Sequence, residues 1–179
     1  MFSACGLNCG LCPRYYTSGP SRCPGCAGEG FSAKHPACGV LSCCQRHQLD
    51  YCYLCQAFPC PQYNGADESD SFITHKNQFS DFVKAETIGI EAYQSELNLK
   101  AEILQKLLAN YDDGRRKSFY CTAVNLLPLE DVQRVAKQLD GLPEAAFGTK
   151  EAVGAAVRLF QEMAMQNHID LRLRKKNKL

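Results

Sequence analysis

The sequence predicts a small, metal-stapled, loop-rich cysteine module followed by a mainly α-helical domain, an α+β protein overall with little strand. Three observations carry that expectation. Eleven of the twelve cysteines lie between Cys5 and Cys60. Glycine and proline punctuate the same stretch too often for long helices. Apolar residues at helical spacing begin only beyond Ser71. The division falls at residues 1–63 for the cysteine module and 64–179 for the helical domain, which ends in a short strand and a basic tail.

Within the module, turn residues such as Gly6, Gly10, Pro13, Pro24, Gly25, Pro36, Gly39, Pro59 and Pro61 leave room for one short helix, around Cys43 to Leu49. Large apolar side chains are sparse there, so the segment cannot bury enough surface to offset chain entropy without a staple. Bound zinc supplies about 10–16 kcal/mol in small modules. A polar stretch from Gln62 to Ser71 reads as a linker or exposed loop.

The helical half follows in order. Ser71 or Thr74 caps a first helix with Phe72, Phe79, Phe82 and Val83 inward, ending near Gly89. Ile90, Tyr93, Leu97, Ile103, Leu104, Leu107, Leu108 and Tyr111 mark a long second helix that stops between Asn110 and Gly114. Ser118 to Leu127 is apolar on most sides and reads as a buried helix. Pro128 opens the next one, with Glu130 and Asp131 in its first turn and Leu129, Val132, Val135 and Leu139 inward. A last helix runs from Thr149 to Asn167 on Val153, Ala156, Val157, Phe160 and Met163. Ile169, Leu171 and Leu173 then alternate with charged residues, which predicts a strand paired with the cysteine segment.

The cysteine spacing points to metal. Cys9/Cys12, Cys23/Cys26 and Cys52/Cys55 each enclose two residues, the spacing at which one tight turn delivers two sulfurs to an ion. Cys9, Cys12, Cys23 and Cys26 form a first tetrahedral site. Cys38, Cys43, Cys52, Cys55 and Cys60 supply a second with one sulfur left over, so two zinc ions are expected. Cys5 is spare unless the sites interleave and it replaces one of the others. Of the adjacent Cys43 and Cys44, only one serves a given ion, and the loop from Cys38 favours Cys43. His35 and His47 read as solvated loop residues, and Cys121 as a small core residue. Iron–sulfur ligation is the alternative, because clusters use four thiolates as well. The Cys5-x3-Cys9-x2-Cys12 spacing matches a radical S-adenosylmethionine loop, but the remaining chain is too short for the barrel and Leu11 stands where an aromatic is usual.

Cys5-Gly6-Leu7-Asn8-Cys9-Gly10-Leu11-Cys12-Pro13, Cys23-Pro24-Gly25-Cys26 and Cys52-Tyr53-Leu54-Cys55-Gln56-Ala57-Phe58-Pro59-Cys60 resemble a cysteine-rich prokaryotic family of unknown function predicted to bind zinc. The run from Arg115 to Cys121, ending in Leu126-Leu127-Pro128-Leu129, is similar to a helical extension in some members. The resemblance implies metal binding and a bacterial or archaeal source, and it brings no catalytic residues.

Function is less legible. Net charge is +1, which gives no field to gather nucleic acid or anionic membrane. No apolar run is long enough to span a bilayer and no signal peptide is apparent, so a cytoplasmic location is expected. A reducing compartment favours free thiols over disulfides. The expectation is a zinc-stabilised interaction or adaptor protein with a protein partner. An enzyme or redox protein using a spare thiol, with Cys5, Cys44 and Cys60 as candidates, is the first alternative. A nucleic-acid binder using Arg172, Arg174, Lys175, Lys176 and Lys178 is the second.

Overall fold

The computed structural model describes residues 1–176, which leaves Lys178 of the basic tail outside the described residues. Seven α-helices follow one another: α1 (Phe31–Lys34), α2 (Gly39–Arg46), α3 (Gln78–Ile88), α4 (Ile90–Asn110), α5 (Lys117–Leu126), α6 (Leu129–Leu139) and α7 (Lys150–Gln166). Single turns of 3-10 helix lie at Cys9–Leu11, Cys52–Leu54 and Pro61–Tyr63. The fold is therefore all-helical among the described residues, and the α+β expectation is wrong.

The strand expected from Ile169 to Leu173 shows why. Ile169, Leu171 and Leu173 do lie half-buried between exposed neighbours, as alternation requires. The backbone carbonyls are taken by side chains instead of a second strand: Lys76 Nζ donates to Asp170 O at 2.6 Å and to Arg172 O at 2.7 Å. Arg174 then closes the segment onto Asp70. Its backbone N–H donates to Asp70 Oδ2 at 2.7 Å and its Nη2 to Oδ1 at 2.8 Å, while Asp70 N–H returns a bond to Arg174 O at 2.9 Å. Period two reports which residues face inward, and a ladder needs a neighbour with free backbone groups, which this segment does not meet.

The Asp70 carboxylate is fully buried. Burial alone would raise its pKa, but the donors from Arg174 and the His75 N–H outweigh that and hold it below its usual value. Its contribution is thus present above the ordinary carboxylate pKa and is lost as pH falls through the lowered one. Asp70→Asn should cost about 2 kcal/mol in urea unfolding at pH 7, with the difference from wild type shrinking in acid.

Two helix starts differ from expectation. α3 begins at Gln78, not near Ser71 or Thr74. Thr74 Oγ1 accepts from Lys76 N–H at 3.2 Å and so closes a turn of its own. Phe72 and Val83 consequently remain exposed, at 63% and 62%. α2 starts at Gly39 because the Cys38 sulfur caps it, accepting from Leu41 N–H at 3.5 Å. The later helices fall close to where the pattern puts them. Thr149 Oγ1 caps α7 by accepting from Ala152 N–H at 3.3 Å, and Pro128 sits immediately before α6.

α4 is the axis of the molecule, about 31 Å long at 1.5 Å per residue. It packs against α3, α5, α6 and the Cys9–Leu11 turn, and α7 closes over α6. Its inner stripe is Tyr93, Leu97, Lys100, Leu104 and Leu107 at spacings of four and three. One connected core runs from Phe2 and Leu11 of the cysteine segment through Phe82, Tyr93 and Leu104 to Tyr120, Val135 and Phe160. The cysteine loops are thus laid directly on the helices.

Candidate metal centres

The N-terminal motif is shaped by its non-cysteine residues. Gly6 has φ +87°, and a Cβ there would meet the Phe82 ring at 2.6 Å. Only glycine allows both the left-handed turn and that approach. Asn8 is 2% exposed. Its Nδ2 donates to Asp81 Oδ2 and to Asn125 Oδ1, both at 2.8 Å, and its Oδ1 accepts from Tyr93 OH at 3.2 Å. One side chain between Leu7 and Cys9 therefore ties the first cysteine turn to α3, α4 and α5. Gln78 adds a bond from Nε2 to Cys5 O at 2.6 Å.

With the turn held, the thiols fall into two neighbourhoods. In the first, burial pushes the Cys9 thiol up, and like charge on Cys5, Cys26 and Cys12 adds to it. Cys26 is raised by burial and then by Cys5, Cys38 and Cys23; Cys5 is raised by burial and then by Cys38. Cys5, Cys9, Cys26 and Cys38 are thus electrostatic neighbours, and Cys12 and Cys23 are neighbours of one another. Two sulfurs carry a polar contact: Ser3 Oγ lies 3.1 Å from the Cys5 sulfur and Leu41 N–H donates to the Cys38 sulfur at 3.5 Å.

The second neighbourhood lines an open cavity of about 570 Å³ between α2 and the Cys52–Leu54 turn. Cys43, Cys44, Cys52, Cys55, Cys60 and His47 border it, together with Leu49, Ala57, Phe58, Pro61 and Gln62. Cys44 and Cys52 form its buried wall. Burial pushes Cys44 up to about 12, with Cys52 the first of its charged neighbours. Cys52 is raised by burial against the lowering influence of Tyr63, with Cys60, Cys44 and Cys55 among its neighbours; the Tyr63 hydroxyl itself donates to Cys5 O at 3.4 Å.

Set against the expected sites, Cys9 has Cys5 as well as Cys12 and Cys26 among its charged neighbours, and Cys26 has Cys5 and Cys38 as well as Cys23. Cys43, Cys52, Cys55 and Cys60 share the second locus, joined by Cys44 instead of Cys38. His35 lies with Cys38 on a different, shallow surface depression. Cys121 is a buried residue of α5. Among the described residues, no three His, Cys, Asp or Glu side chains converge closely enough to hold a single ion.

Residues 1–65 match the model of a family described as protein of unknown function (DUF3795). The matched segment carries eleven of the twelve cysteines, so both thiol neighbourhoods belong to the DUF3795 stretch and the helices from α3 onward lie outside it. No curated protein and no solved structure matches the chain.

Sequence reasoning passed over Asn8, Tyr63, Asp81, Lys100 and Asn125. Lys100 had a visible signal, since it fills the gap between Leu97 and Leu104 in the α4 stripe. Its Nζ donates to Leu127 O at 2.7 Å, satisfying a carbonyl at the end of α5. Burial pushes it down to about 8. Among the described residues no helix is long and apolar enough to cross a membrane.

Proposed function

We propose that the chain is a metal-binding protein in which thiolates of the first sixty residues hold zinc for a mainly structural purpose, and that the folded product serves as a cytosolic interaction or adaptor protein. The observation that carries this reading is the concentration of eleven cysteines in residues 5–60, where Cys5, Cys9, Cys26 and Cys38 come from three separate loops and influence one another's ionisation. An all-thiolate ligand set is the closed, structural type of site. Loops this poor in apolar side chains gain from such a staple what they cannot gain from burial.

The test is metal analysis of the purified full chain beside two variants. Cys26→Ser should lose about one equivalent of zinc, the content of a single tetrahedral site, and should lower the midpoint of thermal unfolding. Cys121→Ser, which alters a sulfur in α5, should keep its metal. Equal zinc in wild type and Cys26→Ser would sink the reading. Zinc uptake should also release protons, because buried neutral thiols become thiolates on binding, and this is measurable as acidification of a weakly buffered solution.

A further inference from the structure

We infer that the cavity between α2 and the Cys52–Leu54 turn is the seat of an iron–sulfur cluster held by Cys44, Cys52, Cys55 and Cys60. The inference rests on the reading that thiolates of this segment bind metal, and it departs from that reading in the kind of metal group and in the ligand set.

Space is the first argument. A tetrahedral zinc–thiolate site has sulfurs about 2.3 Å from the ion, and hence about 3.8 Å from one another, with nothing between them but the metal. Here the thiols border a cavity of about 570 Å³. Thiolates that each bind a different iron of one cluster must stand apart around a volume that the irons and sulfides fill.

The second argument is which sulfurs face that volume. Cys60, Cys44 and Cys55 are all charged neighbours of Cys52, and all four line the cavity. Neighbouring residues of a helix point about 100° apart, so Cys43 and Cys44 occupy different positions on α2. Cys44 is 3% exposed and Cys52 beside it in the cavity lining is 6% exposed. Cys43 is half-exposed at the rim, one helical turn before the exposed His47. The sulfur at the back of the cavity is the better ligand, and the rim pair flanks the entrance.

The surroundings suit the same group. Leu49, Phe58 and Pro61 give the cavity an apolar lining, and a dry shell with few hydrogen bonds to sulfur is one of the means by which proteins tune cluster potential. When bound, a cluster here would give the protein a one-electron carrier close to its surface.

The full-length chain purified without oxygen, or reconstituted with ferrous iron and sulfide, should carry iron and acid-labile sulfide together with broad visible absorption. Cys55→Ser and Cys60→Ser alter half-exposed thiols, so they should lose most of that iron and colour while far-UV circular dichroism stays unchanged. Cys44→Ser should lose them too, and Cys43→Ser should keep them. A colourless protein whose second equivalent of zinc disappears in Cys55→Ser would overturn the inference and leave the proposed function standing. Dependence on Cys43 with indifference to Cys44 would overturn the ligand assignment. A chain that takes up neither zinc nor iron would remove both readings.

Discussion

Phe82→Ala should lower the unfolding free energy by about 4 kcal/mol, near the upper part of the range for buried aromatics. Phe82 is 2% exposed. Its ring lies 5.6 Å from that of Phe2, 5.3 Å from Tyr53 and 5.1 Å from Phe58. These partners come from three places in the cysteine segment, while Phe82 itself belongs to α3. Truncation therefore opens a cavity at the joint between thiol-bearing loops and helices, and it removes the surface on which Gly6 turns. The loss should appear as a lower urea midpoint with an unchanged slope, since the area exposed on unfolding scarcely changes. Val83→Ala, one residue along on the exposed face, should move the midpoint by less than about 0.5 kcal/mol.

Asn8→Ala should cost about 3 kcal/mol, because it leaves a buried carboxylate, a buried amide and a buried hydroxyl each short of a partner. The affected groups are Asp81, Asn125 and Tyr93, and Asn77 can compensate only in part through its bonds to Asp81 at 2.6 Å and Asn125 at 3.1 Å. This network also sets a pH dependence. Burial pushes Asp81 up to about 7, against the lowering influence of Tyr93, Lys100, Asn8 and Lys84. Glu96, paired with Lys84 at 2.6 Å, adds the remaining nearby charge. Between the ordinary carboxylate pKa and about 7 the native state holds a proton that the unfolded chain has lost. Stability therefore falls as pH rises through that window. Lys100 acts in the opposite sense: its pKa is lowered to about 8, so above that value the unfolded chain holds the extra proton and stability rises with pH up to the ordinary lysine pKa. Asp81→Asn should flatten the limb between pH 4 and 8 in urea titrations. An unaltered acidic limb would show that Asp81 is not the group responsible.

Helices α4, α6 and α7 were legible for a plain reason. Their inward residues repeat at three and four, and Pro128 and Thr149 sit at the starts where their chemistry predicts. α5 carried no such period, being apolar on most sides. The beginning of α3 was not legible, because Thr74 serves a local turn and His75 donates its N–H to Asp70, a partner fixed by the distant Arg174. The strand at Ile169 to Leu173 failed similarly: side-chain alternation is a property of the segment, but pairing is a property of what lies beside it.

The candidate metal centres divide along the same line. Short CxxC spacings mark Cys9/Cys12, Cys23/Cys26 and Cys52/Cys55 in the sequence as turns able to present sulfur. They do not say which turns meet. Cys38 caps α2, and Cys44 lines the cavity with Cys52. Asn8 immediately precedes the first of these turns, and nothing local marks it as the side chain that joins three helices.

By itself the sequence determined the thiol content of the first sixty residues, the turns that expose it and the helical faces that follow, since each depends on residue type and near-neighbour spacing. The tertiary structure alone decided that the chain has no sheet among its described residues, that five of the sulfurs line one open cavity, and that a buried Asn8–Asp81–Asn125 network locks the loops to the helices. Those outcomes depend on contacts between residues dozens of positions apart, and such contacts are selected by packing and by the need to satisfy buried polar groups.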